Sequence, residues 1–136
     1  GWMERLKIVV RYADGRTVKG HTQDFAPNKP QFHLFPATAG PLGEAATVFV
    51  KELKAVFFVK DFEGNPQYHE QKQFAEGGRP AGRKVEVTFA DGEVLVGSTM
   101  GYDPQRPGFF LFPADPETNN LRVFVISAAA SKVRNL

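Results

Sequence analysis

Apolar and polar residues alternate with a period of two along most of this chain, the pattern of half-buried β-strands. Lys7-Ile8-Val9-Val10-Arg11-Tyr12 leads into Ala13-Asp14-Gly15, and a second alternating run follows. Asp-Gly between two such runs is a hairpin signal, and a type I′ turn there needs positive φ at its centre. The pattern predicts strands near 6–12 and 16–25, a Pro-rich loop, a short strand at 31–36, a variable loop, and a fourth strand at 46–50. A tight turn, one turn of 3₁₀ helix at most, then leads into a strand near 54–59. Residues 61–83, rich in Gly, Pro, Gln and charge, read as a linker. Beyond it the same series returns: strands at 84–89, 93–102, 108–113, 121–126 and 131–135.

The return is an internal repeat. Residues 7–37 set against 84–114, at a spacing of 77, give 14 identities in 31 positions. Chance gives about two at average residue usage. Matched pairs include Asp14/Asp91, Gly15/Gly92, Gly20/Gly97, Pro27/Pro104, Pro30/Pro107, Phe32/Phe109 and Phe35/Phe112. Further on, Val48-Phe49-Val50 matches Val123-Phe124-Val125 at a spacing of 75, which implies a second loop two residues shorter. Gly20 and Gly97 fall inside strands, where glycine marks a bulge or a sharp bend. The sequence therefore predicts an all-β chain: two tandem five-stranded barrels, 3–60 and 84–136, related by duplication and packed together.

Specific residues carry a family resemblance. Val87-Thr88-Phe89-Ala90-Asp91-Gly92, Val94-Leu95-Val96-Gly97 and Gly101-Tyr102-Asp103 resemble the first Sm motif, and Val123-Phe124-Val125-Ile126 leading to Val133 is similar to the closing Sm strands. The resemblance implies small SH3-like or Sm-like barrels. RNA-binding Sm proteins carry an Asn after the loop acid and a later Arg-Gly; here the loop reads Pro104-Gln105-Arg106-Pro107, and no Arg-Gly precedes the last strand. The paired repeats also resemble an uncharacterised bacterial domain.

Composition narrows the function classes. Hydrophobic residues make up 42% of 136, enough for a packed core, and thirteen Phe supply most of the aromatic area. Seventeen basic and fifteen acidic residues are mixed along the chain, without the basic stripe of a strong nucleic-acid binder. Cysteine is absent, which suits a reducing, cytoplasmic setting, and no apolar run approaches a membrane span. His21, His33 and His69 lack ligand spacing, and no Gly-x-Ser-x-Gly or phosphate-binding glycine loop occurs. The sequence predicts no enzyme, no cofactor and no metal.

Two Pro-x-x-Pro loops are the first candidate site. Asn28-Lys29 and Gln105-Arg106 each place an amide and a cation between two prolines, which stiffen the loop that presents them. Lys29 and Arg106 could together grip carboxylates or phosphates. The third strands are the second candidate. Phe32 and Leu34 share one face and His33 and Phe35 the other; Phe109 and Leu111 oppose Phe110 and Phe112. One face fills a barrel, and the other packs barrel on barrel or stays open as an aromatic groove. Arg79-Pro80-Ala81-Gly82-Arg83 resembles the Arg-x-x-x-Arg switch of PilZ domains, which implies cyclic-dinucleotide contact through Arg79 and Arg83; the second PilZ motif is missing. The expected function is a binding or adaptor module, a regulatory domain of a bacterial protein with a protein partner. An Sm-like RNA or nucleotide-binding role is the alternative. Strand edges offer a route to oligomers, unless the paired barrels satisfy their own.

Overall fold

A computed structural model describes residues 5–37, 44–64, 68, 70, 74 and 82–136. Ten strands follow one another: β1 Leu6–Tyr12, β2 Thr17–Thr22, β3 Gln31–Pro36, β4 Ala46–Phe49, β5 Leu53–Val59, β6 Arg83–Phe89, β7 Val94–Thr99, β8 Gly108–Pro113, β9 Asn120–Ile126 and β10 Ala130–Asn135. Single 3₁₀ turns, Val50–Glu52 and Ser127–Ala129, precede β5 and β10 as the sequence predicts.

All ten strands join one antiparallel sheet in the order β10-β6-β7-β8-β9-β5-β1-β2-β3-β4. The sheet is not closed into a barrel: β4 and β10 are its two edges. Where two packed barrels are expected, the ladder runs unbroken from one half into the other, because β5 pairs with β9. That seam is buried on both sides, and all seven residues of β5 are buried.

The two faces of the seam serve different cores. Val56, Phe58, Phe124 and Ile126 join Ile8, Val10, Phe32, Leu34 and Val48 in the first core. Ala55, Phe57, Val59, Val123 and Val125 join Val85, Val87, Phe89, Phe109 and Leu111 in the second. The strands β1–β5 thus curl to one side of the sheet and β6–β10 to the other. A strand buried on both faces reads as a continuous apolar run, which is what Ala55-Val56-Phe57-Phe58-Val59 is.

Backbone contacts recur 77 residues apart from end to end. The Val50 N–H donates to the Pro30 carbonyl and the Ser127 N–H to Pro107, both at 2.9 Å; the Ala13 N–H donates to Glu52 and the Ala90 N–H to Ala129, both at 3.0 Å. The spacing does not change in the fourth strands. Val48 lies opposite Phe32, and Val125 opposite Phe109. Val48 therefore corresponds to Val125, not Val123, and the second loop is no shorter. A shift of two keeps every side chain on its own face, so the alternation could not reveal the slip.

The hairpin turns also differ from the type expected. The Gly15 N–H bonds the Tyr12 carbonyl at 3.1 Å, and the Gly92 N–H bonds Phe89 at 2.9 Å. Only the glycines have positive φ, 100° and 94°. Ala-Asp thus forms a type I turn closed by a left-handed glycine, rather than a I′ turn. Asp14 and Asp91 steady it by accepting the backbone N–H two residues on, at 3.0 and 2.9 Å. The strand glycines answer to close approach: a Cβ on Gly20 would lie 2.4 Å from the Phe35 carbonyl oxygen, and one on Gly97 would lie 2.2 Å from that of Phe112.

Candidate functional site

The strands β7 and β8 share only two paired positions, Gly97 with Pro113 and Ser98 with Phe112. Beyond them the two splay apart, and a cleft of about 470 Å³ opens between. Its floor is aromatic: Tyr102, Phe109, Phe110, Phe112 and Phe124. Phe110 and Phe112 are half-buried, and Met100 beside them is 74% exposed. The cleft rim holds Asp103 and Arg106 from the second proline loop and Pro27 from the first.

The structure thus brings parts of both proline loops to one place. The Arg106 N–H donates to the Asp103 carbonyl at 3.0 Å, and the Gln105 N–H donates to the Asp103 carboxylate at 2.9 Å. These bonds fix the turn. The Arg106 side chain is 78% exposed, with a loose ion pair to Asp103 at 3.9 Å. In the first loop the Lys29 N–H bonds the Ala26 carbonyl at 3.2 Å. Asn28 and Lys29 are exposed beside Pro27, and neither they nor Gln105 line the cleft. Arg83 opens β6 directly opposite Thr99, a cleft residue, and is exposed. Arg79 lies outside the described residues, as does His69.

The corresponding place in the first half is filled by polar groups. Asp24 accepts the His33 backbone N–H at 2.9 Å, His33 Nδ1 lies 2.6 Å from its other oxygen, and Thr22 Oγ1 donates to it at 3.3 Å. Burial pushes the Asp24 carboxyl up, but the bonds from His33 outweigh it and hold the group below its ordinary value. Seventy-seven residues on, Gly101 stands where Asp24 does, Phe110 where His33 does, Gly108 where Gln31 does and Met100 where Gln23 does. The aromatic face with Phe110 and Phe112 is legible in the sequence; Met100 and the absent side chain of Gly101 are not, because what the copies share hides them, and these two differing positions mark the cleft.

The outward faces of the third strands part company too. Phe110 packs on the first core, against Phe58 and Phe124 and against Phe25 at 6.2 Å. Phe35 instead lies under the Arg5 guanidinium, 4.9 Å away. Arg122 went unremarked in the sequence; its guanidinium stacks on Phe58 at 4.6 Å and Phe110 at 5.3 Å.

A larger cleft, about 790 Å³, lies over Val9, Phe57, Val59 and Leu95. Its rim is charged, with Arg11, Lys19, Lys60, Asp61, Glu63 and Glu117 among the lining residues. Several of its polar groups are already spent on holding the start of the linker. Lys19 Nζ donates to the Phe62 carbonyl at 2.7 Å, and Asn119 both accepts from and donates to the Asp61 backbone, at 3.2 and 2.9 Å. Phe62 meets His21 edge-on at 5.1 Å. Burial, with Arg5 and Lys7 nearby, pushes the His21 imidazole down. This cleft is where Asp61 and Phe62 are held against the sheet.

Among the described residues no group of three or more His, Asp or Glu is placed to hold a metal ion, and no helix is long and apolar enough to cross a membrane. One family model matches residues 4–136, nearly the whole chain. The chain belongs to that family, a family of unknown function, DUF6982. No curated protein and no solved structure matches this DUF6982 chain.

Proposed function

We propose that this DUF6982 chain is a non-catalytic interaction module, an adaptor or regulatory domain, that binds another protein at the aromatic cleft under its second proline loop. One observation carries the reading: Arg106 and Pro27, from two stiff loops 77 residues apart in register, flank a floor of half-buried phenyl rings. Apolar concavity with a few placed polar groups suits recognition of side chains, and an exposed methionine adds an adaptable apolar contact.

The small-barrel resemblance belongs to the same proposal. Each five-strand set packs about one core, completed by a strand of the other half, and turns through 3₁₀ helix before its last strand. The backbone bonds that recur at a spacing of 77 support descent by duplication.

Amide NMR titrations with a pool of short peptides, with mixed single-stranded RNA and with a cyclic dinucleotide test the reading. Peptide-induced shifts between Thr99 and Phe112, and near Pro27, are expected. If RNA or the dinucleotide alone moved those amides, with a response that fell as salt rose, phosphate recognition would replace the protein partner.

A further inference from the structure

We propose that the cleft is a carboxylate site: it takes an Asp or Glu side chain of an extended partner segment, with the apolar neighbour of that residue resting on Phe110 and Phe112. This deepens the interaction-module reading and rests on it.

The first half shows what such a ligand would do, because there the chain supplies its own carboxylate. Asp24 crosses the gap between β2 and β3 and takes the His33 backbone N–H and the Thr22 hydroxyl. His33 lies opposite Thr47 on β4, and Phe110 lies opposite Phe124 on β9 in the same register. The bond to Asp24 shows that the His33 N–H points away from β4, toward β2. The Phe110 N–H, 77 residues on, accordingly points away from β9 toward β7 and the cleft. Thr99 matches Thr22 and lines the cleft. Asp24, however, is matched by Gly101, and a Cβ built on Gly101 meets nothing within 4 Å. The Phe110 backbone donor of a carboxylate cradle is kept while the carboxylate itself is gone, and the Thr99 hydroxyl turns instead to the Gly101 carbonyl, 3.2 Å away, a bond that a ligand carboxylate would replace.

Charge and polarity fit the same occupant. Phe110 replaces His33, so the second half keeps a backbone donor but loses the imidazole partner. Arg106 supplies a cation instead, and its 3.9 Å contact with Asp103 is too long for a hydrogen bond and easily exchanged. The phenyl floor offers no hydrogen-bond partner to a polar neighbour, so the residue beside the carboxylate is apolar.

The test uses the whole chain and two probes, the peptide Ac-Ala-Leu-Asp-Leu-Ala-NH2 and its Asn counterpart, followed through backbone amides. The Asp peptide is expected to move the Phe110 and Thr99 amides, and to bind about tenfold more tightly than the Asn peptide, the difference that one charge-assisted bond makes. Gly101→Asp is expected to fill the site from within. It should shift the Phe110 amide without ligand and remove peptide binding, while the rest of the spectrum stays in place. Gly101 lacks positive φ, so the backbone accepts aspartate. Arg106→Gln should lower affinity for the Asp peptide and leave the Asn peptide unaffected. Equal binding of both peptides at these amides would overturn the carboxylate site and leave the cleft reading standing. If neither peptide moved any cleft amide, both would fall.

Discussion

Phe57 and Phe58 are neighbours in β5, yet each belongs to a different hydrophobic core: Phe57 packs with Val85 and Phe109, and Phe58 with Ile8 and Phe124. One strand therefore serves as a wall of both halves. Truncation of either ring to Ala should cost about 3–5 kcal/mol. That is a large share of the roughly 5–15 kcal/mol that holds a typical domain. The shared wall also predicts that both halves unfold together. Denaturant titration followed at amides of each core should give one transition with one midpoint; two separated transitions would show that the seam does not couple them.

The strand glycines differ sharply in what surrounds them. Ala at Gly97 would press on the Phe112 carbonyl, with backbone rather than a movable side chain in the way. Gly97→Ala should cost about 1–3 kcal/mol, as overpacking does. Gly101→Ala, in open space, should change stability by no more than about 0.5 kcal/mol. Thermal melts of the two variants check the contrast, and equal losses would contradict the close approach of β7 and β8.

Much of this fold was legible in the sequence. The strands and the positions of both Asp-Gly turns follow from alternation and turn residues, because those are local properties. The partner of β5 was not legible. Nothing in Ala55-Val56-Phe57-Phe58-Val59 says whether its second face meets its own half or the next; it says only that both faces are buried. The Val48/Val123 alignment failed for a related reason, since a two-residue slip costs the pattern nothing. As for the site, the proline loops and Arg106 were visible, but the cleft depends on Gly101 and Gly108, whose importance is an absent side chain.

The two free edges correspond in register to the two strands of the seam. Ala55, Phe57 and Phe58 in β5 become Lys132, Arg134 and Asn135 in β10, which β6 pairs as β1 pairs β5. Charges on an edge strand block strand addition. The parent chain should sediment as a monomer. The variant Lys132→Ala/Arg134→Phe/Asn135→Phe, which restores the seam residues, should self-associate through β4 and β10. A variant that stays monomeric would sink this account of the edges.

The pH response of the two halves should differ. Net of burial, the bonds from His33 hold the Asp24 carboxyl below the ordinary 3.8, so it binds its proton less readily in the folded chain. Its contribution to stability is complete above about pH 4 and is lost as pH falls through the depressed value. The His33 amide shift should therefore step at a midpoint below 3.8, and Asp24→Asn should abolish that step. The Phe110 amide, with glycine in place of the acid, should show no such step. A step at both amides would show that a carboxylate already faces Phe110.

The measurement closest to the central claim is an isotope-filtered NOE experiment on the labelled chain with the unlabelled Ac-Ala-Leu-Asp-Leu-Ala-NH2 peptide. The account predicts contacts from the leucine methyls to the Phe110 and Phe112 rings and to the Met100 methyl. Contacts confined to Val9, Phe57, Val59 and Leu95, in the larger cleft beside the linker, would contradict it.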